Sequence, residues 1–229
     1  QSFGNVAQHH FKPGTGLINL KAAALKKPEV MVKIPKRSGN ATGLKAAKNH
    51  IDYISRNGKL AVENQDGELI KGKNALREKV IKEWQRLGIP EHSKYKESLN
   101  VVLSMPPGTD PDAVKNAARD FAQEVFSGHQ YVFVQHLDEK HPHVHICVTM
   151  RNEMGRRMNP RKNDLFKWRV LFAEKMREYG VDCAATRRQH RGVTQKGLNS
   201  TVHHIIKRGG YSTVRQEVVD ELLEAIKKQ

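Results

Sequence analysis

The chain has 229 residues, 38% of them apolar, enough for one cored domain of about 150–200 residues with appendages. Forty basic against 24 acidic residues leave a net charge of +16, which favours a polyanionic partner: nucleic acid first, an anionic membrane surface second. No apolar run of about 18 residues is present to insert in a bilayer, no signal peptide is visible, and two cysteines, Cys147 and Cys183, exclude a disulfide framework and imply a reducing, cytoplasmic setting.

The start at Gln1 rather than methionine reads as a fragment or processed form. Residues 1–28 read as a basic N-terminal arm, punctuated by Gly4, Pro13, Gly14 and Gly16, with a short helix over Gly16–Lys27. Glu29–Pro35 reads as a strand. Thr42 is expected to cap a helix running to about Arg56 and stopped by Asn57-Gly58. Leu44, Ala47, Ile51 and Ile54 fall on one helical face. Tyr53, nine residues after Leu44, points nearly opposite at about 100° per residue. It is therefore not a core residue but a surface tyrosine or a functional one.

Residues 59–72 read as a short strand pair or loop. Lys73–Leu87 reads as an amphipathic helix burying Leu76, Val80, Trp84 and Leu87. Leu99, Val101, Leu103 and Met105 alternate as a half-buried strand ending at Pro106-Pro107-Gly108. Asp110 with Pro111 opens the next helix, whose stripe is Val114, Ala118, Phe121 and Val125.

The segment 131–152, YVFVQHLDEKHPHVHICVTMRN, then packs four histidines and an aspartate into His136–His145. Two runs rich in β-branched and aromatic residues flank turn chemistry at Asp138–Pro142, so the segment reads as a β-hairpin. Alternation puts His143, His145 and Cys147 on one face and Val144, Ile146 and Val148 on the other. Val132, Val134 and His136 share a face of the first strand, so pairing can bring His136 beside His143 and His145. Three imidazoles without a fourth protein ligand leave open positions, as a catalytic metal site requires. Asp138 is placed to orient an imidazole through its other nitrogen. His141 is a solvated turn residue. A structural zinc site is disfavoured, because the two cysteines lack C-x-x-C spacing.

Gly155–Asn163 is a basic loop. Asp164 begins a helix carrying Leu165, Trp168, Phe172, Met176 and Tyr179. Residues 183–229 read as a basic linker and a C-terminal helical segment, Thr213–Lys228. The catalytic domain is thus expected over 29–182. Its fold class is α+β, a mainly antiparallel central sheet with helices on its faces. The histidines would sit on the sheet and Tyr53 on a helix lying over it.

A basic protein with such a site has several options, among them hydrolysis of esters and phosphoesters by metal-activated water and transfer of a phosphoryl group to a protein nucleophile. The off-face Tyr53 favours the second. A phenol, with an ordinary pKa of about 10, is a poor nucleophile at neutral pH unless a cation polarises the phosphate.

Three segments resemble the conjugative relaxases, plasmid-mobilisation nickases within the HUH endonuclease superfamily. The subgroup that includes the T-DNA border endonuclease is most similar. The segments are H-I-D-Y-I-S-R-N-G-K-L at 50–60, S-M-P-P-G-T-D at 104–110, and H-x-D-x(4)-H-x-H at 136–145. Their order fits the family from about residue 30 to 190. The resemblance implies that Tyr53 attacks single-stranded transfer-origin DNA, forms a 5′-phosphotyrosine and releases a 3′-hydroxyl. It makes His136, His143 and His145 the ligands of Mg2+ or Mn2+, although imidazoles alone suit zinc or a later transition metal better. Asp138 would support a ligand or take the tyrosine proton, with Asp52 as rival. Arg56, Lys59, Arg151, Arg156, Arg157 and Arg161 flank the motifs and are the candidate DNA contacts. Further implications are an accessory DNA-binding protein, secretion and coupling machinery, and a bacterial cytoplasmic location with transfer to a recipient cell.

Three alternatives remain at this stage: a rolling-circle initiator or transposase of the same superfamily, a water-using hydrolase, and a DNA-binding module with a structural metal.

Overall fold

The computed structural model describes residues 12, 14–36 and 39–186; the basic stretch from 187 and the expected helix Thr213–Lys228 lie outside them. The strands are β1 (Met31–Lys33), β2 (Val62–Asn64), β3 (Leu69–Ile70), β4 (Ser98–Ser104), β5 (His129–His136) and β6 (His143–Asn152). They form one sheet in the order β1-β4-β6-β5-β2-β3, and each of these pairs is antiparallel. The helices are α1 (Thr15–Ala24), α2 (Gly43–Ile54), α3 (Lys73–Leu76), α4 (Lys82–Arg86), α5 (Pro111–Val125) and α6 (Lys162–Glu178), with a π-helical turn at Arg77–Ile81 joining α3 to α4. The α+β expectation holds.

Side-chain alternation splits the core in two. Leu99, Val101 and Leu103 of β4, Tyr131 and Phe133 of β5, and Val144, Ile146 and Val148 of β6 face α5 and α6. Phe121, Phe126, Trp168 and Phe172 fill that layer with edge-on ring contacts. On the other face Val62, Val132, Val134 and Cys147 pack against Leu44, Ala47, Ile51 and Ile54 of α2 and Leu76, Val80 and Trp84 of the α3–α4 segment. The central strands are therefore buried on both sides. The histidines lie on the α2 side.

Three local readings change. Thr42 occupies the N-cap of α2 but makes no side-chain cap bond; its hydroxyl accepts from Ser93 N at 3.3 Å. The helix start is instead satisfied by loop carbonyls, Leu44 N donating to Pro90 O at 2.9 Å and Lys45 N to Glu91 O at 3.4 Å. Leu87 is 45% exposed, because the helix ends before it. Gly88 N donates to Gln85 O and Ile89 N to Trp84 O, a Schellman closure that puts Ile89 in the core where the periodicity put Leu87. Finally, α6 begins at Lys162, two residues before Asp164, whose carboxylate accepts from Arg161 N at 2.8 Å.

The part of the N-terminal arm over Thr15–Ala24 is helical and docked. The Asn19 amide bonds both backbone groups of Ala185, and Lys27 pairs with Asp182 at 3.1 Å.

Gly43 makes the α2 start possible. It has φ +57°, and an added Cβ would lie 2.5 Å from the Pro90 and Glu91 carbonyl oxygens. Gly88, at φ +94°, has open space instead. Gly88→Ala is expected to cost about 1–2 kcal/mol, the left-handed penalty alone. Gly43→Ala must also push backbone apart and should cost more, about 3 kcal/mol or above. Urea unfolding of both variants checks the order; equal losses contradict it.

Candidate active site

The hairpin register builds the site. His136 lies directly opposite His143, and Val134 opposite His145, so the three imidazoles meet on one face. Ring centroids are 5.4 Å apart for His136–His143, 4.4 Å for His136–His145 and 5.1 Å for His143–His145. Each ring offers one nitrogen within 4.8 Å of the others.

Two rings are oriented by carbonyls. His136 Nε2 lies 2.7 Å from Ile54 O, and His143 Nδ1 lies 2.8 Å from His141 O. A carbonyl only accepts, so those nitrogens carry the protons, leaving lone pairs on His136 Nδ1 and His143 Nε2. His141 thus contributes through its backbone while its side chain is exposed. His145 Nδ1 is buried and has no partner among the described residues. An orphaned buried nitrogen is costly in water-free surroundings and is what a ligand satisfies. Burial lowers the His136 pKa, and the charges of Arg56 and His143 add to this against the Ile54 carbonyl. Burial, then His136, His143, His50 and Arg56, pushes His145 down to about 3. Both rings are neutral at physiological pH. The donor set therefore fits a divalent cation.

Tyr53 is 60% exposed on the outer face of α2, as its helical phase required. It reaches the triad through two neighbours. The His50 ring is 6.2 Å from the Tyr53 ring and close enough to His145 to act on its charge. The Arg56 guanidinium carbon is 5.6 Å from the Tyr53 ring centre, and its Nη2 is 3.4 Å from His136 Nδ1 and 2.8 Å from Asp138 Oδ2. Desolvation pushes the Asp138 carboxyl up, but its own backbone N–H and Arg56 outweigh this and hold it below the ordinary range. Among the described residues Asp138 bonds Arg56 and not an imidazole. His50 escaped the sequence reading; the signal was its position one helical turn before Tyr53, on the same side.

The backbone carrying Arg56 is strained. Asn57 N donates to Asp52 O at 2.7 Å and Arg56 N to Tyr53 O at 3.2 Å, a Schellman closure of α2. Arg56 stands where that motif usually has glycine, at φ +53°, and Asn57 follows at φ +57°. Buried Ser55 braces the turn, its Oγ accepting from Gly58 N at 3.1 Å.

The serine-proline segment also comes to this end. Ser104 pairs with His143 across β4 and β6, and Met105 N donates to Pro142 O at 3.1 Å. Lys59 is exposed just beyond the Arg56 turn. The other candidate arginines are elsewhere. Arg151 lies eight residues along β6 from His143, about 26 Å at strand rise. Arg151 and Arg157 both pair with buried Glu97, at 3.3 and 2.9 Å, at the far end of the sheet. Arg156 is bonded into the same turn through its backbone, and Arg161 is the N-cap of α6.

Comparison with known proteins converges on one family. A family model described as "Relaxase: MobA/VirD2-like, nuclease domain" matches residues 53–181. The T-DNA border endonuclease VirD2 of Agrobacterium fabrum is 26% identical over 215 residues, covering 84% of this chain and 47% of that protein. Its namesake from Rhizobium radiobacter is 26% identical over 215 residues, covering 84% and 50%. That from Rhizobium rhizogenes is 27% identical over 193 residues, covering 74% and 43%. The chain spans about half the length of these curated relatives. The family match opens on Tyr53 and takes in the whole histidine hairpin, and on that extent the chain belongs to the relaxases, with a MobA/VirD2-like nuclease domain.

Proposed function

We propose that this domain nicks one strand of plasmid transfer-origin DNA by transesterification at Tyr53, as a conjugative relaxase. The observation carrying this reading is the three-imidazole cluster with Tyr53 tied to its rim by Arg56. In the reaction the Tyr53 oxygen forms a bond to the scissile phosphorus, and the bond from phosphorus to the 3′-oxygen breaks. The leaving oxygen takes up a proton and becomes a 3′-hydroxyl. The 5′-phosphate stays on the tyrosine as a phosphodiester, so rejoining needs no external energy source.

A divalent cation, Mg2+ or Mn2+, held by His136, His143 and His145, would supply charge neutralisation at the non-bridging phosphate oxygens. The chain's own residues do the rest. The Ile54 and His141 carbonyls fix two of the rings and their tautomers. Arg56 stacks against Tyr53 and presents a second positive charge to the attacked phosphate. Asp138 positions that guanidinium and receives the phenolic proton. Held below the ordinary range, the carboxyl passes the proton on to solvent. Lys59 lies close enough to the Arg56 turn to contact DNA phosphate beside the nick.

The relatives that share most of this chain are T-DNA border endonucleases, which favours DNA transfer over replication initiation or transposition. An accessory protein that melts the origin, and coupling and secretion machinery, are the partners this reading implies. No helix among the described residues is long and apolar enough to cross a membrane. We place the nicking step in the bacterial cytoplasm, with the protein travelling on the DNA to a recipient.

With a single-stranded origin oligonucleotide and Mn2+, a covalent adduct is expected on a denaturing gel. Tyr53→Phe and removal of metal by chelation should each abolish it. Cleavage without an adduct would mean water is the nucleophile, and an undiminished adduct in Tyr53→Phe would remove Tyr53 from the reaction. By calorimetry, His145→Ala should weaken Mn2+ binding by at least about tenfold. Arg56→Gly separates function from stability. It relieves the left-handed strain while losing the partly exposed Asp138 ion pair, the Tyr53 ring contact and the 3.4 Å approach to His136, so stability should stay within about 1 kcal/mol of the parent. Adduct formation should nevertheless slow by about a hundredfold or more. A variant that loses more stability than this, or reacts at the parent rate, contradicts the assignment.

A further inference from the structure

Away from the histidines, an arginine and a lysine frame an exposed aromatic ring. Tyr95, in the loop before β4, is 55% exposed. Arg157 lies over its ring at 5.4 Å, and Lys94 lies over it at 5.2 Å. The loop is braced from below. Tyr95 N donates to Ser93 Oγ at 3.1 Å, and Ser93 Oγ donates to Glu97 Oε1 at 2.9 Å. Glu97, fully buried, ties down Arg151 and Arg157, and Arg157 Nη2 donates to Lys96 O at 2.5 Å. One buried carboxylate thus holds two guanidinium groups, and one of them, Arg157, lies over the half-exposed Tyr95 ring. Met154, at the tip of the adjoining turn, is 78% exposed.

Helix α2 joins this patch to the histidine end. Its first turn bonds the 90–91 loop, and the Ile54 carbonyl at its last turn bonds His136. Twelve residues give it a length of about 18 Å. Lys45, Asn49 and Tyr53 are exposed along it at four-residue spacing, one stripe on its outer face.

We infer that Tyr95, with Lys94 and Arg157, is a second subsite for single-stranded DNA, where a base several nucleotides from the nick stacks on the tyrosine ring. It rests on the reading that the domain binds single-stranded DNA. Aromatic rings flanked by guanidinium groups suit every base, because each has a π-face. The separation from the histidine end, about 18–26 Å, corresponds to about five to eight nucleotides at duplex rise, fewer if the strand is stretched. The subsite therefore holds flanking sequence rather than the scissile phosphate.

The test is fluorescence anisotropy with a labelled oligo(dT) of about 16 nucleotides, titrated over a range of salt. Tyr95→Ala and Tyr95→Leu should bind about five- to a hundredfold more weakly, with Tyr95→Phe within about twofold of the parent. Because no charge is removed, plots of log K against log salt should shift in parallel without a change of slope. Tyr179→Ala, an exposed tyrosine at the end of α6, should bind like the parent. Equal binding by Tyr95→Ala overturns the subsite, as does Tyr95→Phe falling with it, a changed slope, or an equal loss in Tyr179→Ala. A protein that forms no adduct but shows the Tyr95 loss keeps this subsite and loses the nicking reading; adduct formation without a Tyr95 effect does the reverse.

Discussion

The site depends on the register of β5 against β6. Three histidines converge only because His136 faces His143 and Val134 faces His145. A slip of one residue in either strand would send that strand's side chains through to the α5–α6 layer. That layer is closed to such a slip by bulk. Tyr131, Phe133, Val144, Ile146 and Val148 already fill it against Phe121, Trp168 and Phe172. Packing on one face of the sheet thus fixes chemistry on the other.

Helix α2 is the second fixed element, and it does several things at once. Its inner stripe seals the histidine face of the sheet. Its last turn lends the Ile54 carbonyl to His136. Its outer face carries Tyr53. The chain then leaves the helix through two consecutive non-glycine residues with left-handed backbone, Arg56 and Asn57. A glycine at 56 would close the helix with less strain but would bring no guanidinium between the tyrosine, the carboxylate and the imidazole. Local backbone strain kept at a point where three functional groups meet is what a site under selection for placement rather than stability looks like.

Much of this was legible in the sequence, and the reasons are specific. The hairpin and its faces follow from a period of two in residues that are buried on both sides. The outward direction of Tyr53 follows from helical phase alone. Leu87 was misplaced because periodicity carries no information about where a helix stops; Gly88 set the stop, and Ile89 took the core position. Thr42 has the side chain of a cap, but loop carbonyls from residues 90 and 91 arrive first, a contact that sequence cannot anticipate. The arginines were the least legible. Arg151, Arg156 and Arg157 follow the histidine motif closely in sequence, yet a ten-residue strand carries them to the opposite end of the sheet. Sequence proximity along an extended strand is spatial distance. Among the described residues, the same strand separates the basic side chains around Arg56 from those around Arg151 and Arg157.

Central to the proposed function is one cation shared by the three imidazoles within reach of a tyrosine on α2. Crystals soaked in Mn2+ and measured at the manganese absorption edge test this most directly. The prediction is one anomalous peak at bonding distance from His136, His143 and His145, with the Arg56 guanidinium drawn back from His136 and Tyr53 facing the ion across space for a phosphate. A peak elsewhere, or none while the three rings keep their places, would contradict it.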